Sequence, residues 1–211
     1  MKKPNSIILL SGGLDSTVSA AIATRKTKPL FALTFDYGQR AAIMEIKASR
    51  KICQILKIKH KIISLPFFKD FKGLRMCNAG KKLKPAHFRT LDQVWIPNRN
   101  GLFINIAACY AEHYNASFIV TGFNREEAME FPDNSIRYIA AVNHSLFYST
   151  RNRVKVISFV ADYSKSQIYR IGIKYRAPLK LIYSCYLGGK ETCGQCASCR
   201  RLLNASSGLE K

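Results

Sequence analysis

Residues 6–17 read Ser6-Ile7-Ile8-Leu9-Leu10-Ser11-Gly12-Gly13-Leu14-Asp15-Ser16-Thr17. A short apolar run stops at a Ser-Gly-Gly turn, and Leu14, Val18, Ala21 and Ile22 then share one face at helical spacing. A buried strand that turns directly into a helix aims a row of free backbone N–H groups at one point. The glycines allow close approach and positive φ, and the helix N-terminus adds partial positive charge, so the point favours an anion such as phosphate. Asp15 and Ser16 stand where they can cap the helix or help hold a nucleotide's magnesium ion. The Gly-x-x-x-x-Gly-Lys-Ser/Thr loop of β–γ-cleaving ATPases is absent. Its nearest approximation, Gly80-Lys81-Lys82, has Arg75 where the first glycine should be.

Outward from this junction, apolar strand-like runs recur at 30–35, 61–65, 117–121 and 154–160. Helix-like stretches separate them. Ile52, Ile55 and Leu56 share one face, and Leu102, Ile106, Cys109 and Tyr110 form another stripe. Ser164-x-x-Gln167 reads as a capping box opening a helix with Ile168, Ile171 and Tyr175 on one side. The alternation predicts an α/β fold with a doubly wound, mainly parallel sheet and ligands at the carboxyl ends of its strands. The less regular stretch 66–100, with Gly73, Gly80, Pro85 and Pro97, reads as an active-site flap.

The 211 residues suit one domain with a small appendage, and 47% hydrophobic with 22% charged residues is a globular composition. No apolar run approaches the ~20 residues that cross a bilayer, which predicts a cytoplasmic protein without a signal peptide or a membrane partner. Lys and Arg number 34 against 13 Asp and Glu, a net charge of +21. Such an excess fits a lysine-rich solvated surface, a local patch for an anionic small molecule, or an acidic protein or nucleic-acid partner. The clusters 57–61 and 69–84 would be the footprint of such a partner.

Cys185, Cys193, Cys196 and Cys199 put four thiols in fifteen residues, with Gly188, Gly189 and Gly194 supplying tight turns. Four thiolates around one ion suit structural zinc, with an iron–sulfur cluster as the rival. Cys53 and Cys109 fall in helical stretches and read as small core residues, whereas Cys77 stays open as a reactive thiol. His60, His87, His113 and His144 show no metal-like spacing.

The Ser-Gly-Gly-Leu-Asp-Ser turn resembles the PP-loop of the ATP pyrophosphatase superfamily, which splits ATP between its α and β phosphates. Four further elements follow it in order: Phe35-Asp36-Tyr37-Gly38-Gln39-Arg40, Ile96-Pro97-Asn98-Arg99-Asn100, Ser184-Cys185-Tyr186-x-Gly188-Gly189, and Cys193-Gly194-x-Cys196-x2-Cys199. Together they resemble the 7-cyano-7-deazaguanine (preQ0) synthases of queuosine biosynthesis over nearly the whole chain. The resemblance implies a PP-loop domain over 1–180 and a four-cysteine zinc lobe over 181–211. It also implies an ATP-dependent ligase that turns the carboxylate of 7-carboxy-7-deazaguanine into an amide with ammonia, then dehydrates the amide to a nitrile.

On this resemblance Ser11, Gly12, Gly13, Asp15, Ser16 and Thr17 would hold the ATP phosphates, with Leu10, Leu14, Val18, Ser19 and Ala20 completing the nucleotide loop. Tyr37, Gln39, Arg40, Arg99, Asn100, Gly122, Asn124 and Asp133 would meet the substrate. Asp15, Ser16, Arg99 and Lys165 would be catalytic, Lys165 as a point charge for departing pyrophosphate and Arg99 as a rigid cation for phosphate or carboxylate. ATP, Mg2+ and Zn2+ are the implied cofactors, and a homodimer is open.

The sequence departs from the family's pattern at 122–134. Gly122, Asn124, Phe131, Pro132 and Asp133 keep the frame, but Glu127 replaces an Asp, Ala128-Met129-Glu130 replaces Tyr-Ser-Gly, and Asn134 replaces a Cys. Asn98 also replaces a glycine. Changed pocket groups can change a substrate or an end point. The same activation stopped at the amide, or aimed at a protein amine, therefore stands beside the nitrile, as do a tRNA-modifying relative and a zinc-ribbon nucleic-acid binder.

Overall fold

The computed structural model describes residues 2–77 and 82–207. Gly80, Lys81 and part of the 69–84 basic cluster lie outside the described residues, as do residues 208–211 of the expected C-terminal lobe. Five strands, β1 (Asn5–Leu9), β2 (Lys28–Asp36), β3 (His60–Ser64), β4 (Phe118–Thr121) and β5 (Lys155–Ser158), form one all-parallel sheet in the order β3-β2-β1-β4-β5. Eight α-helices accompany them among the described residues: α1 (Leu14–Lys26), α2 (Ala42–Leu56), α3 (Leu91–Val94), α4 (Arg99–His113), α5 (Arg125–Ala128), α6 (Ile136–Ser149), α7 (Lys165–Lys174) and α8 (Ala197–Ser207). The connections reverse direction between β1 and β4. The loops leaving those two strands therefore open a crevice at the carboxyl edge, where the nucleotide loop was expected.

Continuous apolar runs suit parallel strands covered on both faces, and Ile7, Ile8, Leu33, Ile119, Val120 and Val156 are fully buried. Leu14, Val18, Ala21 and Ile22 of α1 are all buried, as their spacing predicts. The Ser164–Gln167 capping box is present: the Ser164 hydroxyl accepts from Gln167 N and the Gln167 carboxamide accepts from Ser164 N. Two stripes are rotated from expectation. In α4 the buried face is Ile104, Ala107, Ala108 and Ala111, because small alanines let the helix sit close on the sheet, and Cys109 is exposed instead of in the core. In α2 Ala48, Ser49, Ile52 and Cys53 face inward, and Ile55 faces solvent.

The 66–100 stretch is pinned rather than loosely hung among its described residues. Phe68, Met76, Phe88 and Ile96 anchor it in the main core, and Met76 and Val94 line the crevice. The basic run 57–61 is likewise partly committed inside. His60 Nε2 lies 2.8 Å from Thr34 Oγ1, and Lys61 Nζ sits over the rings of Phe31, Tyr110 and Tyr114 at 4.5–5.0 Å. Only Lys57 and Lys59 of that run are exposed cations. The cysteine segment shares the main core through Cys185, Cys196 and Cys199 and is tied to the first loop by Tyr183 N donating to Gly12 O at 2.9 Å. No helix among the described residues is long and apolar enough to cross a membrane.

Candidate active site

A cavity of about 250 Å³ opens at the carboxyl edge of the sheet. Its floor is the β1–α1 turn. Gly12 takes φ +84°, and a Cβ there would meet Glu45 O and the side chains of Ala48 and Ser49 at 3.0–3.1 Å. Gly13 is the N-cap of α1 and offers no side-chain cap, so the first N–H groups of that helix remain free for a ligand. Ser16 Oγ lies 3.0 Å from Ser11 Oγ and 3.2 Å from Ser11 N, which fixes the turn on itself. The loop leaving β4 presses on the same spot. A Cβ on Gly122 would lie 2.6 Å from Ser16 N and 2.9 Å from Asp15 C, so only glycine lets the two loops touch. Ser19 Oγ donates to Thr121 O at 2.6 Å and binds them from below.

Lys165, at the first turn of α7, reaches over this floor. Its Nζ pairs with Asp15 Oδ2 and, at 2.7 Å, with Glu127 Oε1. The two carboxylates hold the buried ammonium charged against the opposing effect of burial. Burial pushes the Asp15 carboxyl up to about 6; the Lys165 charge opposes this and the Glu127 charge adds to it. Burial acts upward on Glu127 as well, but the charge and hydrogen bond of Lys165 outweigh it and hold that carboxyl below its usual range. Asp15 Oδ1 is a buried acceptor with no hydrogen-bond partner among the described residues. Such a group fits a cation brought in with a nucleotide.

Arg99, the first residue of α4, forms the opposite wall. Its Nη1 donates to Tyr37 Oη at 3.1 Å, and its guanidinium lies 5.7 Å from the centre of that ring. Burial pushes the Tyr37 hydroxyl up to about 12, against the pull of Arg99. Asn98 precedes it with φ 49° and ψ 26°. Asparagine tolerates this left-handed conformation best after glycine, which accounts for the replacement at that position.

Of the residues expected from sequence, Leu10, Ser11, Gly13, Leu14, Asp15, Ser16, Tyr37, Gln39, Arg99, Asn100, Gly122 and Lys165 line one cavity. Thr17, Val18, Ser19 and Ala20 do not; they are buried beneath it as the body of α1. Gln39 borders the cavity with its polar atoms already engaged: Oε1 accepts from Tyr37 N, and Nε2 donates to Phe35 O and Glu45 Oε2. It therefore shapes the loop after β2. Arg40 is placed there too, its carbonyl directly beneath Gly188. Asn124 Oδ1 caps α5 by accepting from Glu127 N, leaving its buried Nδ2 unpartnered. Asp133 lies beside the cavity, near Arg99, with its carboxyl raised by burial.

Sequence reasoning missed Glu45, Phe103, Ser184, Tyr186, Ser198, Arg201 and Leu202, all of which line the cavity. Ser184 and Tyr186 flank the motif cysteine Cys185, and Phe103 stacks on Phe35 at 4.0 Å. Arg201 has no motif around it; a helical reading of 197–207 would have been needed to find it.

The sulfurs of Cys185, Cys193, Cys196 and Cys199 all lie within 4.8 Å of one another. Cys193 N and Cys196 N point at the sulfurs of Cys185 and Cys193 at 3.4 and 3.3 Å, which favours thiolates. The hydrogen bond from Cys196 draws the Cys185 thiol below its usual range while that same bond and burial push Cys196 up. The group can hold a metal ion. Cys77 lacks such an environment: burial pushes its thiol up to about 11.

The parallel sheet, with a Ser-Gly-Gly-Leu-Asp-Ser turn between β1 and α1, has the fold of the PP-loop ATPases. Solved structures of similar fold include NMN synthetase from Francisella tularensis (TM-score 0.51, 19% identical, 92% of this chain and 71% of that one) and the NH3-dependent NAD synthetase of Campylobacter jejuni (TM-score 0.51, 18% identical, 86% and 68%). Residues 5–209 match the family described as Queuosine biosynthesis protein QueC, and the chain belongs to that family. Among its relatives, the 7-cyano-7-deazaguanine synthase of Carboxydothermus hydrogenoformans is 48% identical over 96% of this chain and 98% of its own length. That of Pelotomaculum thermopropionicum is 44% identical over 95% and 96%.

Proposed function

We propose that this chain is an AMP-forming ligase that converts 7-carboxy-7-deazaguanine and ammonia to 7-cyano-7-deazaguanine with ATP. The observation that carries the reading is the meeting of an uncapped helix N-terminus, the Lys165–Asp15–Glu127 cluster and Arg99 in a single cavity. Membership of the QueC family over residues 5–209, with relatives that are 7-cyano-7-deazaguanine synthases, supports it.

A carboxylate is a poor electrophile, so the reaction needs a leaving group on it, and placement with charge neutralisation matters more than a protein nucleophile. The N–H groups of the 11–16 turn would take the phosphates. Asp15, through its unpartnered Oδ1, would hold magnesium, which supplies charge neutralisation when bound. Arg99 would orient the substrate carboxylate so that one of its oxygens attacks the α-phosphorus and pyrophosphate leaves toward Lys165. Ammonia then adds to the acyl carbon, AMP departs with the attacking oxygen, and the amide remains. A second round at the amide oxygen, again releasing pyrophosphate and then AMP, leaves the nitrile. Asp133 would read the guanine-like edge, while Asn124, buried as the cap of α5, would position Glu127 rather than touch the substrate.

Of the replaced residues in the 122–134 segment, Glu127 and Glu130 are engaged by Lys165 and Arg201. The four cysteines would hold structural zinc: Zn–S bonds of about 2.3 Å place tetrahedral sulfurs about 3.8 Å apart, and Cys193 and Cys199 already stand at 3.9 Å. Sulfurs gathered about one point suit an ion better than the extended body of an iron–sulfur cluster.

The test is mass spectrometry of the products from purified protein with ATP, magnesium, ammonium and 7-carboxy-7-deazaguanine. Nitrile with AMP is expected. Amide without nitrile would replace the reading by a ligase that stops one step earlier, and ADP as the nucleotide product would end it.

A further inference from the structure

Among the described residues three cations line the cavity, Arg99, Lys165 and Arg201, and they are not equally engaged. Lys165 is held by two carboxylates at side-chain exposures of 15% and 25%. Arg99 is tied to the hydroxyl and ring of Tyr37, with Asp133 nearby. Arg201 differs. It lies on α8, between the cavity-lining residues Ser198 and Leu202, and its side chain is 18% exposed. Its ion-pair partner is Glu130, whose Oε2 lies 2.5 Å from Arg201 Nη2 and whose side chain is half exposed; the charge of Glu127 and the hydroxyl of Tyr186 also act on it without a hydrogen bond.

The difference matters for exchange. Removing a buried carboxylate from Lys165 would strand a charge, whereas Glu130 can swing into water and be solvated there. Its neighbour Met129 is already 85% exposed. An arginine fork facing a cavity and held by a carboxylate is preset for another oxyanion of the same shape. We propose that Arg201 receives the oxyanion of an incoming substrate and that Glu130 occupies its place until the substrate arrives. The oxyanion is the deazaguanine carboxylate or a nucleotide phosphate. This deepens the active-site reading above and rests on it.

The pair makes opposite demands on two variants. Calorimetric binding of 7-carboxy-7-deazaguanine and, separately, of α,β-methylene-ATP is measured on the full chain for wild type, Arg201→Ala, Arg201→Lys and Glu130→Gln. Loss of a charged hydrogen-bonding partner is expected to weaken one ligand by roughly ten- to a hundredfold in Arg201→Ala, and the ligand affected identifies the oxyanion. Arg201→Lys, which keeps the charge and loses the fork, should fall between, and it serves if the alanine variant does not fold. Glu130→Gln should bind that same ligand at least as tightly as wild type. A merely structural clasp would weaken binding in both variants in parallel, and that result overturns the proposal, as does an Arg201→Ala variant indistinguishable from wild type for both ligands. If wild type itself binds neither ligand, the active-site reading fails first and the proposal falls with it.

Discussion

Gly122→Ala is the sharpest single probe of how the nucleotide loop is held. The added methyl would sit 2.6 Å from Ser16 N and 2.9 Å from Asp15 C and Ser16 Cα, backbone atoms that no rotamer change can move aside. Optimal contacts between heavy atoms lie near 3.5–4.0 Å, so the two loops must separate by about 1 Å. Overpacking of this kind typically costs about 1–3 kcal/mol. At roughly 2–4 °C per kcal/mol for a chain of this size, Tm should fall by about 2–12 °C. The activity loss should be larger in proportion, because a misplacement of about 1 Å at a reacting centre can cost ~100-fold. Gly13→Ala is the control. Its Cβ would meet Ser11 Oγ at 3.5 Å and Ser184 Oγ at 3.8 Å, ordinary contacts, so that variant should melt with wild type. The assays are calorimetric melting and pyrophosphate release. A Gly122→Ala protein that keeps wild-type Tm and kcat/KM within a factor of about two would refute the claim that close backbone approach positions the loop.

Four further outcomes follow from the cavity and the cysteine group beside it. Burial raises Asp15 to about 6, so below that pH it is protonated and loses its charge for magnesium; kcat/KM for ATP should fall on an acid limb near pH 6. Glu127→Gln removes a charge that raises Asp15 and should move that limb to lower pH, whereas an unmoved limb would assign it to another group. Lys165→Met leaves Asp15 and Glu127 buried without their cation, a loss of about 3–5 kcal/mol at neutral pH. Those carboxyls would then titrate at raised pKa, so the deficit should shrink as pH falls; urea melts at pH 7 and pH 5 that show equal deficits would contradict the ion-pair assignment. A chelator strong enough to strip the four cysteines should lower Tm and release α8, withdrawing Ser198, Arg201 and Leu202 from the cavity; stripped protein that melts unchanged would mean the thiols hold no structural ion.

Much of the fold was legible because its signals are local. The five strands are short apolar runs, and the Ser164–Gln167 box fixes the start of α7 within its own residues. The PP-loop reading needed only one strand–turn–helix junction. The failures are places where the tertiary partner decides. In α4 the small face wins over the larger Leu102–Tyr110 stripe, because burial there depends on how closely a helix can approach the sheet. α6 was not read at all: Ile136, Phe147 and Tyr148 are apolar yet exposed, which blurs its periodicity. α8 begins inside the cysteine cluster, whose pattern suggested only a metal loop, and Arg201 was hidden with it. Glu127 was seen as a departure, but its partner Lys165, 38 residues away in sequence, could come only from the folded chain.

The central claim is that this cavity activates a carboxylate by adenylation twice over. Substrate labelled with 18O in both carboxylate oxygens tests it directly, with mass spectrometry of AMP, pyrophosphate and the deazaguanine product. If both activations occur at the α-phosphorus, the nitrile retains no label and each of its two lost oxygens appears in a molecule of AMP. Label in pyrophosphate or in free phosphate would place the attack at another phosphorus, and unlabelled AMP would show that no acyl adenylate forms.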